Sequence, residues 1–240
     1  MLSSGMTQKY LLYAVGEIAL VVVGILIALQ INNWNEDRRD QQKEQEILNS
    51  LAEDFRGNLE ELDRSLTELT SLIELQRKKL SYSVDEPSLL TPEIVRDLRG
   101  TYFVTTEIVE GTLTSVLNSE KLELINNERL KKLLTSYPAF IEKVKTQEEW
   151  ISDYVINKQR PIHRKYVSLA EMLPDDEGYQ HIKQKAFKSD YVGLLKDREY
   201  FNVTVGIILT NEGMQADIER LRNRTQEILD LLLSETKTVS

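Results

Sequence analysis

Two histidines, His163 and His181, and no cysteine bound the chemistry open to this 240-residue chain. Without cysteine there is no thiolate nucleophile, no thiolate metal site, no disulfide and no palmitoylation or lipoprotein attachment point. Glu177 and His181 stand four apart, a spacing that places two side chains on one face of a helix. A di-metal site in a helical bundle needs two Glu-x-x-His motifs and two further glutamates, and no such set is present. A single pair beside a loop reads as solvated surface. HExxH, GxSxG and GxxxxGK[ST] are all absent. Carboxylates abound, but on exposed helix faces they are the ordinary expectation. The chain is therefore read as non-enzymatic, with no cofactor and no metal.

The charge balance narrows the partners. Lys9 and Glu17 cancel, so the segment up to Asn35 is neutral and the formal charge of −9 falls wholly on the rest. An acidic domain without a basic stripe is a poor match to nucleic acid, where phosphate neutralisation supplies most of the affinity. No nucleic-acid partner is expected.

One carboxylate stands apart. Glu17 lies in the apolar run from Tyr10 to Ile31, which as a helix extends about 33 Å and crosses a hydrocarbon core of roughly 30 Å. Thirteen of the residues from Leu11 to Ile31 are Leu, Val or Ile. They favour insertion by very roughly 4 to 8 kcal/mol, against about 2.5 to 3.5 kcal/mol for a central acidic residue, and less for one near an end. The apolar side prevails. No small-x-small cleavage site follows Ala28, which argues against a signal peptide. The dense β-branched run from Ile18 to Ile31 argues against a core helix. Tyr10, Tyr13 and Trp34 sit where interfacial aromatics belong. The lipid bilayer is thus the first expected partner.

Gly16, Leu20, Gly24 and Ala28 recur every four residues and share a helix face. Gly24 and Ala28 make a small-xxx-small pair that admits a second helix. Glu17 falls on or beside this face. Two readings stay open: a homo-oligomer packed through the span with Glu17 satisfied across it, or a Glu17 that snorkels to the headgroups. Asn32, Asn33, Trp34 and Asn35 form a polar collar at the end of the span, read as an interfacial anchor or as a junction that fixes the angle between the span and the next helix.

The elements that must position these residues are helical. Ten glycines and five prolines suit long helices. The division expected is a tail over 1–9, a transmembrane helix with its collar over 10–34, and an acidic helical bundle over 35–240. The span is expected to continue into an amphipathic helix reaching about Tyr82. Its apolar stripe starts with Ile47, Leu48, Leu51, Ala52 and Phe55. It continues through Leu59, Leu62, Leu66, Leu69, Ile73 and Leu80, broken at Gln76. Thr91-Pro92-Glu93 marks a helix start. Thr101 to Glu110 is β-branched and locally extended, but one such run makes no sheet. Thr112 to Ile125 reads as one short helix, and Asn126 or Asn127 caps the next. That helix carries Leu130, Leu134, Tyr137, Ile141, Val144, Ile151 and Val155, with Glu148 as a break and a kink expected at Pro138. Pro161 and Pro174 bracket a short helix containing His163, and 174–178 reads as a loop. A last long helix from Ser189 or Asp197 to Ser234 carries Met214, Ile218, Leu221, Thr225, Ile228 and Leu232. Long helices with one apolar face each give an all-α antiparallel bundle.

The runs Gly16-Glu17-Ile18 and Val22 to Glu36 (VVGILIALQINNWNE) resemble the signature of an uncharacterised bacterial family of small single-span envelope proteins, a domain of unknown function. Ser119 to Leu134, SEKLELINNERLKKLL, is similar to that family's second recurrent block, with Glu120 where the family usually has glycine. The resemblance implies a membrane location. It implies no activity, cofactor or catalytic residue.

The function expected is a membrane-tethered helical interaction or sensory module with a protein partner of its own. The alternatives are an oligomerising effector that perturbs the bilayer and, as a minor one, a hydrolase at the membrane surface. Basic residues alone slightly favour a cytoplasmic bundle and net charge favours the opposite. The reading taken is a single-pass protein of the bacterial inner membrane with its bundle outside the cytoplasm.

Overall fold

The computed structural model describes the backbone of residues 4–237, and side chains from Gly16 onward except Ala19 and Lys237. Met1–Ser3 of the expected tail, and the side chains of Lys9, Tyr10 and Tyr13, lie outside the described residues. Among the described residues there is helix, turn and irregular chain but no strand.

One helix, α1 (Ser4–Ser81), carries the apolar run and the amphipathic stripe without a break. At 1.5 Å per residue it is about 117 Å long. Such length needs a continuous supply of good helix formers and no interior proline, and the sequence meets both conditions. Its apolar part is long and apolar enough to cross a membrane, and none of that stretch is buried within the fold. The first buried side chain is Glu44, and from Leu48 onward one face of α1 is core. Between the collar and Glu44 the helix runs alone, with Lys43 paired to Asp40 at 2.8 Å.

Two further long helices complete the core: α5 (Glu128–Tyr154) and α9 (Arg198–Lys237). Between α1 and α5 lie α2 (Pro92–Arg99), α3 (Gly111–Leu117) and α4 (Lys121–Leu124). Between α5 and α9 lie a π-helical segment (Val155–Gln159), α6 (Arg160–Tyr166), α7 (Glu177–Lys185) and α8 (Tyr191–Lys196). Helix α9 packs along both α1 and α5. It runs antiparallel to α1: Asp63 pairs with Arg222, Thr70 with Gln215 and Arg77 with Glu212. Phe55 of α1 sets its ring 4.8 Å from, and tilted against, that of Tyr137 on α5, whose hydroxyl meets Thr225 of α9 at 2.8 Å. The expected all-α antiparallel bundle is what the chain forms.

Burial follows a 3–4 alternation on each long helix. On α9 the buried row is Tyr200, Thr204, Ile207, Asn211, Met214, Ile218, Leu221, Thr225, Ile228 and Leu232. On α5 it is Leu130, Leu134, Tyr137, Ile141, Val144, Ile151 and Val155, as the sequence pattern indicates. Heptad phase would put the next buried residue at 158, but Gln159 is the buried one. The π segment supplies the extra residue, since an i→i+5 turn advances the chain by one position.

On α1 the structure corrects the expected stripe. Leu62, Leu69 and Ile73 are buried, but Leu59, Leu66 and Leu80 are only half-buried. The fully inward row is Leu48, Leu51, Phe55, Asn58, Leu62, Ser65, Leu69, Leu72, Gln76 and Lys79. Four of its members are polar, and an apolar pattern therefore slides off it to the flanking leucines.

The expected helix over 112–125 is two helices. Ser119 ends α3 by donating to the Ser115 carbonyl at 2.7 Å and starts α4 by accepting from the Lys121 amide at 3.4 Å. Glu120 sits at φ −64°, an ordinary right-handed position that needs no glycine. The expected loop over 174–178 ends early, because Asp176 accepts from the Gly178 amide at 2.7 Å and opens α7. Asn127 caps α5, and α5 continues through Pro138.

Residues 101–110 are irregular chain, paired with no strand among the described residues, and Glu110 at their end is already in the right-handed helical region. Side chains take the place of a partner strand. Asn58 Nδ2 donates to the Val109 carbonyl at 2.9 Å and its Oδ1 accepts from the Val109 amide at 2.8 Å. Glu61 accepts from the Glu107 amide and Glu148 from the Thr106 amide. Glu148 is thus no mere break in its stripe. Replacing Asn58 by alanine removes both bonds to Val109 in a buried place, and is expected to destabilise the bundle by about 2 to 3 kcal/mol. Denaturant unfolding of the variant measures this; a change under about 0.5 kcal/mol would show that the segment is held elsewhere.

Candidate functional site

The residues singled out in the apolar part of α1 make no site within one chain. Gly16, Glu17, Leu20, Gly24 and Ala28 are all exposed, and a Cβ added at Gly16 or Gly24 would meet nothing within 4 Å. Asn32, Asn33, Trp34 and Asn35 are exposed as well, with Trp34 at 64 %. The bundle covers none of them. His181 and Glu177 lie exposed on α7, consistent with solvated surface. Among the described residues no group of three or more His, Asp or Glu side chains is arranged to hold a metal ion.

Two places in the bundle concentrate polar side chains, the second of them inside it. The first lies at the end nearer the apolar segment. Glu44 accepts from both the amide and the side chain of Asn126, each at 2.7 Å. Asn127 caps α5 through Leu130 N at 3.0 Å and donates to Glu235 at 2.6 Å. The Asn126-Asn127 pair therefore ties the near ends of α1, α5 and α9 together.

The second lies at the far end and has more chemical character. The last turns of α1 bring in Gln76 and Lys79, the end of α2 and its C-cap bring in the carbonyls of Leu98 and Gly100, and the π segment with α6 brings in Gln159, Arg160 and His163. Lys79 is 1 % exposed and donates to the Gly100 carbonyl at 3.0 Å. No carboxylate forms an ion pair with it among the described residues. Burial pushes its ammonium down to about 8, and the field of Asp97 only partly offsets this. His163 meets the Leu98 carbonyl through Nε2 at 2.8 Å. A carbonyl can only accept, so Nε2 carries the proton and Nδ1 is the bare nitrogen of the neutral ring. Burial holds the His163 pKa below its usual value, the Leu98 bond opposes this, and the charges of Lys79 and Arg164 reinforce it. Gln159 and Gln76 are fully buried, and both amide atoms of each lack a hydrogen-bond partner. Asn211 on α9 is in the same condition, one residue from Glu212, the partner of Arg77. Gln76 and Asn211 therefore sit at one level of the α1–α9 seam.

Over His163 the surface opens into a groove of about 230 Å³, walled by Gly100–Tyr102, Arg160, Arg164, Leu169 and Met172. Arg160 donates to the Thr101 hydroxyl at 3.3 Å. This arrangement can bind and orient. Asp97, whose field reaches Lys79, is engaged by the Tyr82 hydroxyl and Lys78. Sequence reasoning named His163 but missed Lys79, Gln159 and Arg160. The available signal was the seam register, which places Lys79 three residues after Gln76 on the inward row.

An antiparallel bundle built on a helix whose other end is a bare apolar segment of membrane-crossing length, with polar clusters at its two ends, defines the class of this protein. The chain belongs to DUF6090, a family of unknown function, whose family model matches residues 17–137. That match takes in α1 from Glu17, the elements up to α4 and the first part of α5, and both sequence blocks noted above fall within it but for Gly16. No curated protein and no solved structure matches the chain.

Proposed function

We propose that this chain is a membrane-tethered helical interaction or sensory module, non-enzymatic, of a bacterial envelope. In this reading the apolar segment crosses the inner membrane and the bundle stands outside the cytoplasm. The observation that carries it is the single helix α1, uncovered over its apolar part and built into the core over the rest. A rotation or shift imposed at one end of an unbroken helix reaches the other, with no hinge between Ser4 and Ser81 to absorb it. The exposed small-residue face of Gly16, Gly24 and Ala28 suits a second copy in the bilayer, and the bundle takes the protein partner.

Crosslinking in native membranes followed by mild detergent extraction tests both halves. Full-length chain is expected to recover one reproducible partner, to keep it when Tyr10–Ile31 is replaced by an unrelated apolar span, and to lose a crosslinked homodimer on Gly24→Leu. Recovery of no partner with or without crosslinker would overturn the module, and a homodimer unmoved by Gly24→Leu would overturn the packing face.

A further inference from the structure

The groove over His163 carries an assignment of its own. Its walls combine two kinds of surface. One side presents the guanidinium groups of Arg160, which donates to the Thr101 hydroxyl, and Arg164, and neither forms an ion pair among the described residues. The other presents the ring of Tyr102 and the apolar side chains of Leu169 and Met172, each about half exposed.

Behind the groove lies a third positive charge. Lys79 donates to the carbonyl of Gly100, a wall residue, and is itself shut away from water. A buried ammonium held only by a carbonyl creates a positive potential that solvent does not screen.

We propose that this groove binds a small organic anion, with a carboxylate or phosphate-ester head on an apolar body. The head meets the guanidinium groups of Arg160 and Arg164, whose planar forks match both oxyanions. The apolar body lies against Leu169, Met172 and the Tyr102 ring. The volume, about 230 Å³, falls below the roughly 300–1,000 Å³ of drug-sized sites, so the body is one ring or a short branched chain. The assignment rests on the groove alone and stands whether or not the bundle serves as a sensory module.

Ligand-observed saturation-transfer NMR on the full chain in neutral-lipid nanodiscs tests it, with benzoate and phenyl phosphate as probes and benzamide as the uncharged control. At least one anion is expected to bind saturably, and benzamide about tenfold more weakly or worse, the loss of one charge-assisted contact. Arg160→Gln with Arg164→Gln is expected to weaken the anion by about tenfold or more, while Arg160→Lys with Arg164→Lys restores part of it. Both arginines reach the surface, so the circular-dichroism melt of each variant should match the parent and confirm the fold. The better-bound probe tells the two head groups apart. No saturable binding of either anion, equal binding of benzamide, or a glutamine pair that binds as the parent does would each overturn the assignment.

Discussion

Replacing Lys79 by methionine is expected to stabilise the bundle at pH 7 by about 1 to 2 kcal/mol and to remove an alkaline rise in stability that the parent shows. The ammonium is held at about 8 in the folded chain against 10.5 in the open, a displacement that corresponds to about 3 kcal/mol. The sign follows from proton counts. Below pH 8 both states are protonated, and the folded state carries the full cost of a buried charge. Between pH 8 and 10.5 the unfolded chain binds more protons, so stability rises as pH rises. Methionine keeps the packing stem and removes the charge, but it leaves the Gly100 carbonyl without its donor, which takes back about 1 to 3 kcal/mol. The parent should therefore climb from pH 8 towards pH 10 and then turn over. The fall arises because burial holds Tyr137 and Tyr200 up at about 12. The unfolded chain sheds those protons near pH 10 while the folded one keeps them. Lys78, raised chiefly by its bond to Glu93 and further by Asp97, adds to the decline above its ordinary value. Denaturant unfolding at intervals from pH 6 to 11 measures both curves. A parent with no rise above pH 8, or a methionine variant that keeps one, would show that Lys79 is not charged in a dry site.

How much of this was legible in the sequence depends on which physical signal each feature left. The apolar segment could be read from composition alone, because crossing length needs only a run of apolar residues. The row on α5, and on α9 from Met214 onward, was legible because apolar residues fill nearly every inward position there; the earlier part of the α9 row, with Thr204 and Asn211 inside, was not read. On α1 the same reading strayed, since Asn58, Ser65, Gln76 and Lys79 occupy inward places and the eye follows leucine to the flanks. The π segment left only a phase slip, Val155 to Gln159 in place of a step of three, visible once Gln159 is known to be inside. That 101–110 makes no sheet was foreseen, but not its holder, because nothing local announces that Asn58 bonds a residue 51 positions away. The groove over His163 joins α6 to a loop some 60 residues earlier. No spacing rule predicts such a meeting, and for that reason Arg160 and Lys79 escaped notice while His163, a rare residue type, did not.

Replacing Gln76 and Asn211 together by leucine is expected to stabilise the bundle by about 2 to 4 kcal/mol. Each single replacement should give less than half of that. Both amides are fully inside the α1–α9 seam, at one level, and none of their four side-chain polar atoms has a partner. An unsatisfied buried polar group costs about 1 to 3 kcal/mol, whereas apolar replacement of both members of such a pair removes the cost outright. A single leucine leaves the other amide facing a wholly apolar neighbour. The same layer should be a soft point. In the parent, amide hydrogen exchange in the last turns of α1 and the first half of α9 should be faster than around Phe55 and Ile228, where the seam is apolar in α1 and α9 alike. The double variant should slow it to match. If instead the single variants destabilise by about 2 kcal/mol or more, the amides are satisfied by each other or by water, and the seam is rigid there. The distinction bears on the proposed module. A helix carries a displacement between its ends only if its far end has somewhere to move. A polar layer beside the His163 groove, held open at a cost in stability, supplies that freedom where a bound anion would act on α1.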